Sequence, residues 1–486
     1  VLMAGDNTIL FGVAAYLSAT LIVGYLAGKN VKDGEDFMVA GRSLPTWLCT
    51  FTVFATWFGA GTCLGAAGAA YKRGFRGIIA DPFGAVLCLL LAGTFFFKTM
   101  RRMKFITVGD YFRVRYGEEV ELLACVCMIP IYVGWVASQL VAFGYILKMV
   151  TGCETVPAIL IGTIVVLVYT AVGGMWAVAF TDFFQALVLI AGLLILLPSA
   201  LSAAGGLSTI IERLPAGHLQ LLPDGGLFAW MFYVQAWLIL GIGDLSGQEL
   251  MGRAMSAKDE NVAQKSAYFA AFLYLTIGLI PVLLGMIGSL LLPSIGDPEY
   301  ILLELGRQYL TPIPLAIFIG ALISALMSSA DSALLAQASL VVENIIPKVY
   351  GKLDAKKALK ACRTIVLCSG TLSLCVALYL QNIYELMLSA SAIGLVSIAV
   401  PFIAGIYWSK ANMPGAIAAM VSGLCSWVLF SAIGKHIAPQ GDFPSYLLAV
   451  LCALIFLIVT SVLTAKASPA NTLITNLTVK SLASGE

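Results

Sequence analysis

Apolar residues in this chain come in runs long enough to cross a hydrocarbon layer, separated by short polar or basic stretches. Their spacing predicts an all-α polytopic membrane protein of about thirteen spanning helices. The spans are 8–28 (α1), 45–70 (α2), 76–99 (α3), 120–148 (α4), 156–172 (α5), 182–204 (α6), 228–250 (α7), 266–292 (α8), 312–345 (α9), 361–381 (α10), 384–408 (α11), 414–434 (α12) and 446–465 (α13). The first run has no basic stretch before it and no small-residue cleavage site. It therefore reads as a spanning helix and not as a signal peptide.

Two spans are broken by glycine. α2 contains Phe54-Ala55-Thr56-Trp57-Phe58-Gly59-Ala60-Gly61, and α7 contains Leu240-Gly241-Ile242-Gly243-Asp244-Leu245-Ser246-Gly247-Gln248. Glycine also lets helices pack closely in membranes, and either break alone fits that reading. The two lie five spans apart, at corresponding positions of two five-helix sets, α2–α6 and α7–α11. Such an arrangement predicts a five-plus-five inverted repeat whose opened backbone lines a midplane site. The chain then divides into 1–44 (an extra helix and loop), 45–204 (the first repeat), 205–408 (an outer loop and the second repeat) and 409–486 (two accessory helices and a cytoplasmic tail).

α9 carries the most unusual polar pattern. At about 100° per residue, Ser324, Ser328, Asp331, Ser332 and Ser339 fall within an arc of roughly 100°, so one face is polar and the rest apolar. A charged side chain at membrane depth costs about 2.5–3.5 kcal/mol on insertion scales, so Asp331 points to function, and its oxygens suit a hard cation. Asp182, near the start of α6, reads equally as a helix cap. Asp81 and Asp244 lie deeper, where each could bind a substrate amine or pair with an arginine such as Arg76. Trp57 sits in the α2 break, where its side chain would face the cavity; Trp237 reads as packing.

Composition removes soluble classes. Hydrophobic residues make up 60% of the chain and charged residues 11%, with a mean hydropathy of +0.96, which leaves no room for a soluble domain of useful size. The net charge of +2 says little, but its placement sets an orientation. With loops assigned alternately, one side collects Lys29, Lys32, Arg42, the run Lys98 to Arg115, Arg253, Lys258, Lys265, the run Lys348 to Arg363, Lys410, Lys466 and Lys480. The other side holds Lys72, Arg73, Arg76, Lys148, Arg213, Arg307 and Lys435 of the 28 Lys and Arg. The positive-inside rule then puts the amino terminus outside and the carboxyl terminus in the cytoplasm, in a plasma or inner membrane. Phosphate loops, metal-ligand clusters, nucleic-acid motifs and Ser/His/Asp sets are absent from the sequence, so an enzyme is not expected. Asp297, Glu299 and Glu304 in an outer loop read as a solvated surface.

At this point the chain resembles the sodium:solute symporter family, whose members carry proline, pantothenate, sialic acid, glucose or choline with sodium. The resemblance rests on Ala40-Gly-Arg42-Ser-Leu-Pro45, Gly109-Asp-Tyr-Phe112 with Arg115-Tyr-Gly117, Gly173-Gly174 with Ala177-Val-Ala-Phe-Thr181-Asp182, and Ala325-Leu-Met-Ser-Ser-Ala-Asp-Ser332. It implies a sodium site made by the carbonyls of Ala55, Phe58 and Ala325 with the hydroxyls of Ser328 and Ser329. It also implies a second, deeper sodium at Asp182, Asp331 and Ser332, and a coupling role for Arg42. Ala55-Thr56-Trp57 and Trp135 look like the choline branch, in which aromatic rings cage a quaternary ammonium. Where that branch has further aromatics, this chain has Ala85, Gly247 and Met387.

Together with Trp57, Gly59 and Trp135, the polar residues Gln139, Asp244 and Gln248 suggest a small polar solute bearing an amine, an amino acid or betaine-like zwitterion. Choline, a carboxylate or a sugar is the alternative. The expected activity is sodium-coupled symport within the lipid bilayer, with a transporter-like solute sensor and a channel as the rival classes.

Overall fold

The computed structural model describes residues 7–28, 31, 33–351, 353–437 and 443–465. Lys29, Lys32, Lys352, Lys466 and Lys480 of the basic set, and the tail after Ala465, lie outside them. The described residues form helices joined by loops, without a β-strand and with one isolated bridge, between Leu44 and Ala257.

Among the described residues, eleven helical stretches are long and apolar enough to cross a membrane, against the thirteen expected. Two expected spans account for the difference. α2 is interrupted: Thr46–Trp57 ends at Phe58, and the helix resumes at Gly61 and leads, through a short turn, into α3 as one stretch, Gly61–Met103. α5 is a short apolar helix, Thr155–Val168, joined to Gly174–Ala203 (α6) across a bend at Gly174. Gly174 has φ +58°, and a Cβ there would lie 2.7 Å from the Phe37 ring, so both conformation and space call for glycine.

α7 is broken as its glycines predict. Leu227–Gly241 stops, Gly243–Ser246 forms a tight turn, Gly247 is extended at ψ 128°, and Gln248–Ser256 begins a new helix. Elsewhere polar residues start helices where the sequence changes from polar to apolar. Asp259 accepts from the Val262 amide at the head of α8 (Glu260–Leu291), Asp354 from Lys357 at α10 (Ala355–Tyr379), and Asn382 from Glu385 at α11. The fold is thus two sets of five helices, each opening on a broken one, with α1 (Asn7–Gly28), α12 (Met413–Ile437) and α13 (Ser445–Leu463) added.

α9 (Pro312–Leu340) is the centre of the bundle. It packs along the α5–α6 helix and against α4 (Glu118–Thr151), α1 and α10. Every residue from Phe318 to Leu340 is buried, so its polar face meets protein and not lipid. Large apolar side chains instead stand exposed on the outer faces of α1, α12 and α13, among them Phe11, Val428 and Leu463, as a lipid-facing surface requires.

The basic end of the bundle is tied by main-chain bonds. The Leu44 amide donates to Ser256 O at 3.1 Å, and the Lys258 amide to Leu44 O at 2.9 Å. Arg101 donates to the carbonyls of Ala257 and Lys258 at 2.5 and 2.9 Å. Two arginines assigned to loops by the charge pattern are in fact buried, each 1% exposed. Arg115 donates to the carbonyls of Gly405 and Trp408, and Arg253 lies in the core. Glu299 also departs from its expected solvated surface. It is 8% exposed and accepts from the amides of Ile383 and Tyr384, clasping the start of α11. Burial pushes its carboxyl above the ordinary range, while those two amides pull it back.

Candidate functional site

The α2 break lies against the polar face of α9. Its first half ends because Phe58 takes non-helical angles, leaving main-chain groups around Trp57 to Gly61 without a continuing helical ladder. Ser328 Oγ donates to Ala55 O at 2.9 Å and approaches Ala325 O at 3.1 Å. Ser329 Oγ donates to Thr56 O at 2.9 Å. Three of the five expected sodium ligands, Ala55, Ala325 and Ser328, therefore meet at this junction, and Ser329 is bonded to the neighbouring Thr56 carbonyl; Phe58 is one residue past the helix end and buried. Gly59 is backed directly by Ser329, since a Cβ there would lie 2.3 Å from Ser329 Oγ. Ser324 and Ser339 are bonded to the carbonyls of Gly320 and Leu335 on their own helix, and Ser324 also to Tyr16.

One turn further along α9, the expected second cluster comes together around a residue the pattern did not single out. Thr52 donates to Asp182 Oδ2, and Thr56 Oγ1 lies 3.2 Å from Ser332 Oγ. Ser332 Oγ approaches Asp331 Oδ1 at 3.3 Å. Arg253 reaches in from the second half of α7. Its Nη2 donates to Ser332 Oγ and lies 3.9 Å from Asp182 Oδ2, while its Nη1 donates to Glu249 O at 3.0 Å. Asp182 thus pairs with Thr52 and a guanidinium and does not cap α6. Thr52 and Thr56 were legible only as one helical turn of hydroxyls before the α2 break.

Around the breaks, Trp57 and Trp135 stand edge to face with ring centroids 6.4 Å apart, and they are 4% and 6% exposed. Gln139 on α4 accepts the Ala60 amide at 2.8 Å, closing one orphan donor of the break. Asp244 in the α7 turn accepts from Ser391 on α11 at 2.9 Å. Gln248 faces elsewhere. Its side-chain amide accepts from Val108 N and donates to Ile106 O, so it braces the segment before α4. Asp81 is held by Thr62 at 2.6 Å and by Tyr274 at 3.0 Å, and Tyr274 OH also reaches Trp57 O at 3.2 Å. Arg76 is not its partner, being bound to Gln220, Leu222 O and Asp224 in the outer loop. Trp237 stacks on Phe83, as packing would have it.

A residue missed from sequence lies next to Gln248. Glu249 is 2% exposed and accepts from Tyr132 OH at 2.6 Å. A carboxylate two positions past a break-forming glycine was a readable signal. Arg42 lies at the basic end, its Nη1 donating to Phe105 O at 2.8 Å and its Nη2 3.3 Å from Glu35. At the opposite end a cleft of about 770 Å³ opens among Gly65, Gln235, Glu299, Tyr384 and Tyr446. Met387 and Tyr384 pack on Gly61 and Gly65 between it and the break.

Comparison with known proteins agrees with this architecture. The profile of the sodium:solute symporter family matches residues 37–423. The chain is 27% identical to the high affinity choline transporter 1 of Homo sapiens over 90% of its length and 79% of that protein. It is 25% identical to the sodium/pantothenate symporter of Escherichia coli (strain K12), over 92% and 95%. Among solved structures, a Na+-coupled sialic acid symporter in a substrate-bound outward-open state superposes with a TM-score of 0.78 at 21% identity, covering 96% of this chain and 99% of that one. A nucleobase-cation-symport-1 family transporter gives 0.62 at 16% identity, over 91% and 98%.

Proposed function

The chain belongs to the sodium:solute symporter family, and on that premise we propose that it carries a small amine-bearing organic solute together with sodium by alternating access. The observation that carries the reading is the Ser328 hydroxyl bridging the Ala55 carbonyl at the α2 break and the Ala325 carbonyl on α9. Carbonyls of Ala55, Phe58 and Ala325 with hydroxyls of Ser328 and Ser329 would replace most of the hydration shell of a sodium ion. Such an ion joins α2 to α9, and the same break carries Trp57. Its binding therefore biases the state that completes the solute site, and the two ligands share one coupling free energy.

The second cation site is proposed on its oxygens. Asp182, Asp331 and Ser332 bring carboxylate and hydroxyl oxygens beside the Arg253 guanidinium, a donor set that suits a hard cation. The basic end faces the cytoplasm of a plasma or inner membrane, placing the amino terminus outside and the carboxyl terminus within. An ion entering a cell at −100 mV gains roughly 2.3 kcal/mol per charge, which is about 50-fold of accumulation. The coupling role of Arg42 is proposed from the resemblance; its bonds to Phe105 O and Glu35 hold it at the basic end.

For the solute, the Trp57 and Trp135 rings and the choline and pantothenate transporters among the relatives favour a small organic molecule, with an amino acid, a betaine or choline as the kinds in view. Equilibrium binding tests the reading. Raising sodium should tighten solute binding, and saturating solute should tighten sodium binding by the same factor. Independence of the two would refute symport. Trp57→Ala is expected to weaken solute binding roughly 30-fold through lost ring contact while sodium binding persists, as read by titration with radioactive sodium.

A further inference from the structure

Glu249 has no part in the cation clusters described above. A carboxylate in the first turn of Gln248–Ser256 gains from the helix dipole, but that gain does not choose its partners. Oε2 accepts from Tyr132 OH at 2.6 Å, and the Trp57 indole N–H donates to the same carboxylate. Trp57 belongs to the α2 break and Tyr132 to α4, so one side chain from the α7 break joins both. The carboxylate lies over Gly247, where a Cβ would come within 2.3 Å of Oε1. Gly247 has φ −62°, which any residue adopts, so it is the space and not the main chain that calls for glycine there.

This carboxylate closes a ring of contacts around the two tryptophans. Trp135 stands three residues after Tyr132 on α4, one helical turn along the same face. It meets Trp57 at an interplanar angle of 62° with centroids 6.4 Å apart. Trp57 is therefore held twice, by its ring against Trp135 and by its N–H on Glu249. Glu249 is itself held through both main chain and side chain. Arg253 Nη1 donates to its carbonyl at 3.0 Å, and the Tyr132 hydroxyl that donates to its carboxylate accepts the Gln248 amide at 2.6 Å. A buried, charge-assisted bond to a fixed carboxylate gives the indole one orientation, which is how a supporting residue preorganises a binding group. The other carboxylates near the breaks are bonded elsewhere, Asp81 to Thr62 and Tyr274 and Asp244 to Ser391.

We infer that Glu249 is a positioning residue of the solute site. By holding the Trp57 N–H it sets the angle at which that ring meets Trp135 and faces the solute, and it does so without touching the solute. This rests on the symport reading given above and applies to whichever small organic solute is carried.

A double-mutant cycle tests it, with the full chain in proteoliposomes under an inward sodium gradient. The probe is whichever of choline, glycine betaine, proline, pantothenate and glucose the wild type takes up best. Glu249→Leu should raise the KM for that probe roughly 10-fold or more, the scale of a lost hydrogen bond to a charged group. Trp57→Phe, which keeps a ring but has no N–H, should lose a similar amount. Adding Glu249→Leu to Trp57→Phe should then cost less than about twofold more, because the bond that Glu249 makes is already gone. Glu249→Gln keeps one acceptor oxygen, should lose less than Glu249→Leu, and runs the same cycle if the Leu variant is not recovered folded. A residue that only supports the fold would show the same loss with or without Trp57→Phe, and that result would overturn the inference. So would a wild-type KM in both Glu249 variants. Absence of sodium-dependent uptake by the wild type for the whole panel would instead overturn symport itself.

Discussion

Arg253→Ala is expected to cost about 3–5 kcal/mol of stability, the scale for removing one partner of a buried ion pair. In the wild type the guanidinium is 1% exposed and donates to Ser332 and to the Glu249 carbonyl, with Asp182 at 3.9 Å. Without it, Asp182 keeps Thr52 but loses its opposite charge, and Ser332 loses a donor. The second half of α7 would also lose its tie to α9. Thermal unfolding of the purified protein in detergent reads the effect. Arg253→Ala combined with Asp182→Asn should lose less than the two single losses added, because the unpaired carboxylate is gone. A cost under about 1 kcal/mol for Arg253→Ala, the scale of a surface ion pair, would mean that the guanidinium does not hold this cluster.

The second large effect concerns sodium directly. Ser328→Ala removes the hydroxyl that lies between Ala55 O and Ala325 O, and with it one of five proposed ion ligands. Loss of a buried, charge-facing oxygen is worth about 1.5–3 kcal/mol, so the sodium concentration for half-maximal uptake should rise roughly 10- to 150-fold. Ser339→Ala is the matched control. It lies on the same face of α9, is equally buried, and bonds only to the Leu335 carbonyl on its own helix. Its expected shift is within about threefold, since such back-bonding contributes little to a helix. Equal shifts for the two serines would remove the ion from this junction.

How far the sequence carried the reading depends on distance along the chain. The breaks at 58–60 and 241–247 were legible because glycine and lost periodicity are local signals. The polar stripe of α9 was legible because helical spacing alone puts Ser328, Asp331 and Ser332 on one face. What it could not give was any pairing set by how separate helices meet. Arg253 near the end of a span looks like every other basic residue that marks an inner loop. Only the fold shows the second half of α7 turning that side chain inward, onto Asp182 of α6 and Ser332 of α9. Gln248 and Glu249 are adjacent in the same first helical turn. One braces the 106–108 segment and the other faces Trp57, a division that needs the direction of the broken helix. Eleven long stretches stand against thirteen expected spans for a related reason. A broken helix and a short helix bent at Gly174 are each a single apolar run in sequence, but not a single long rod in space.

The measurement that bears most directly on the central proposal is solute uptake into proteoliposomes against its own gradient, driven by sodium. With sodium high outside, the account predicts accumulation that saturates in both sodium and solute, and that collapses when the sodium gradient is dissipated. Solute entry at the same rate with potassium in place of sodium, or a sodium current that needs no solute, would contradict it.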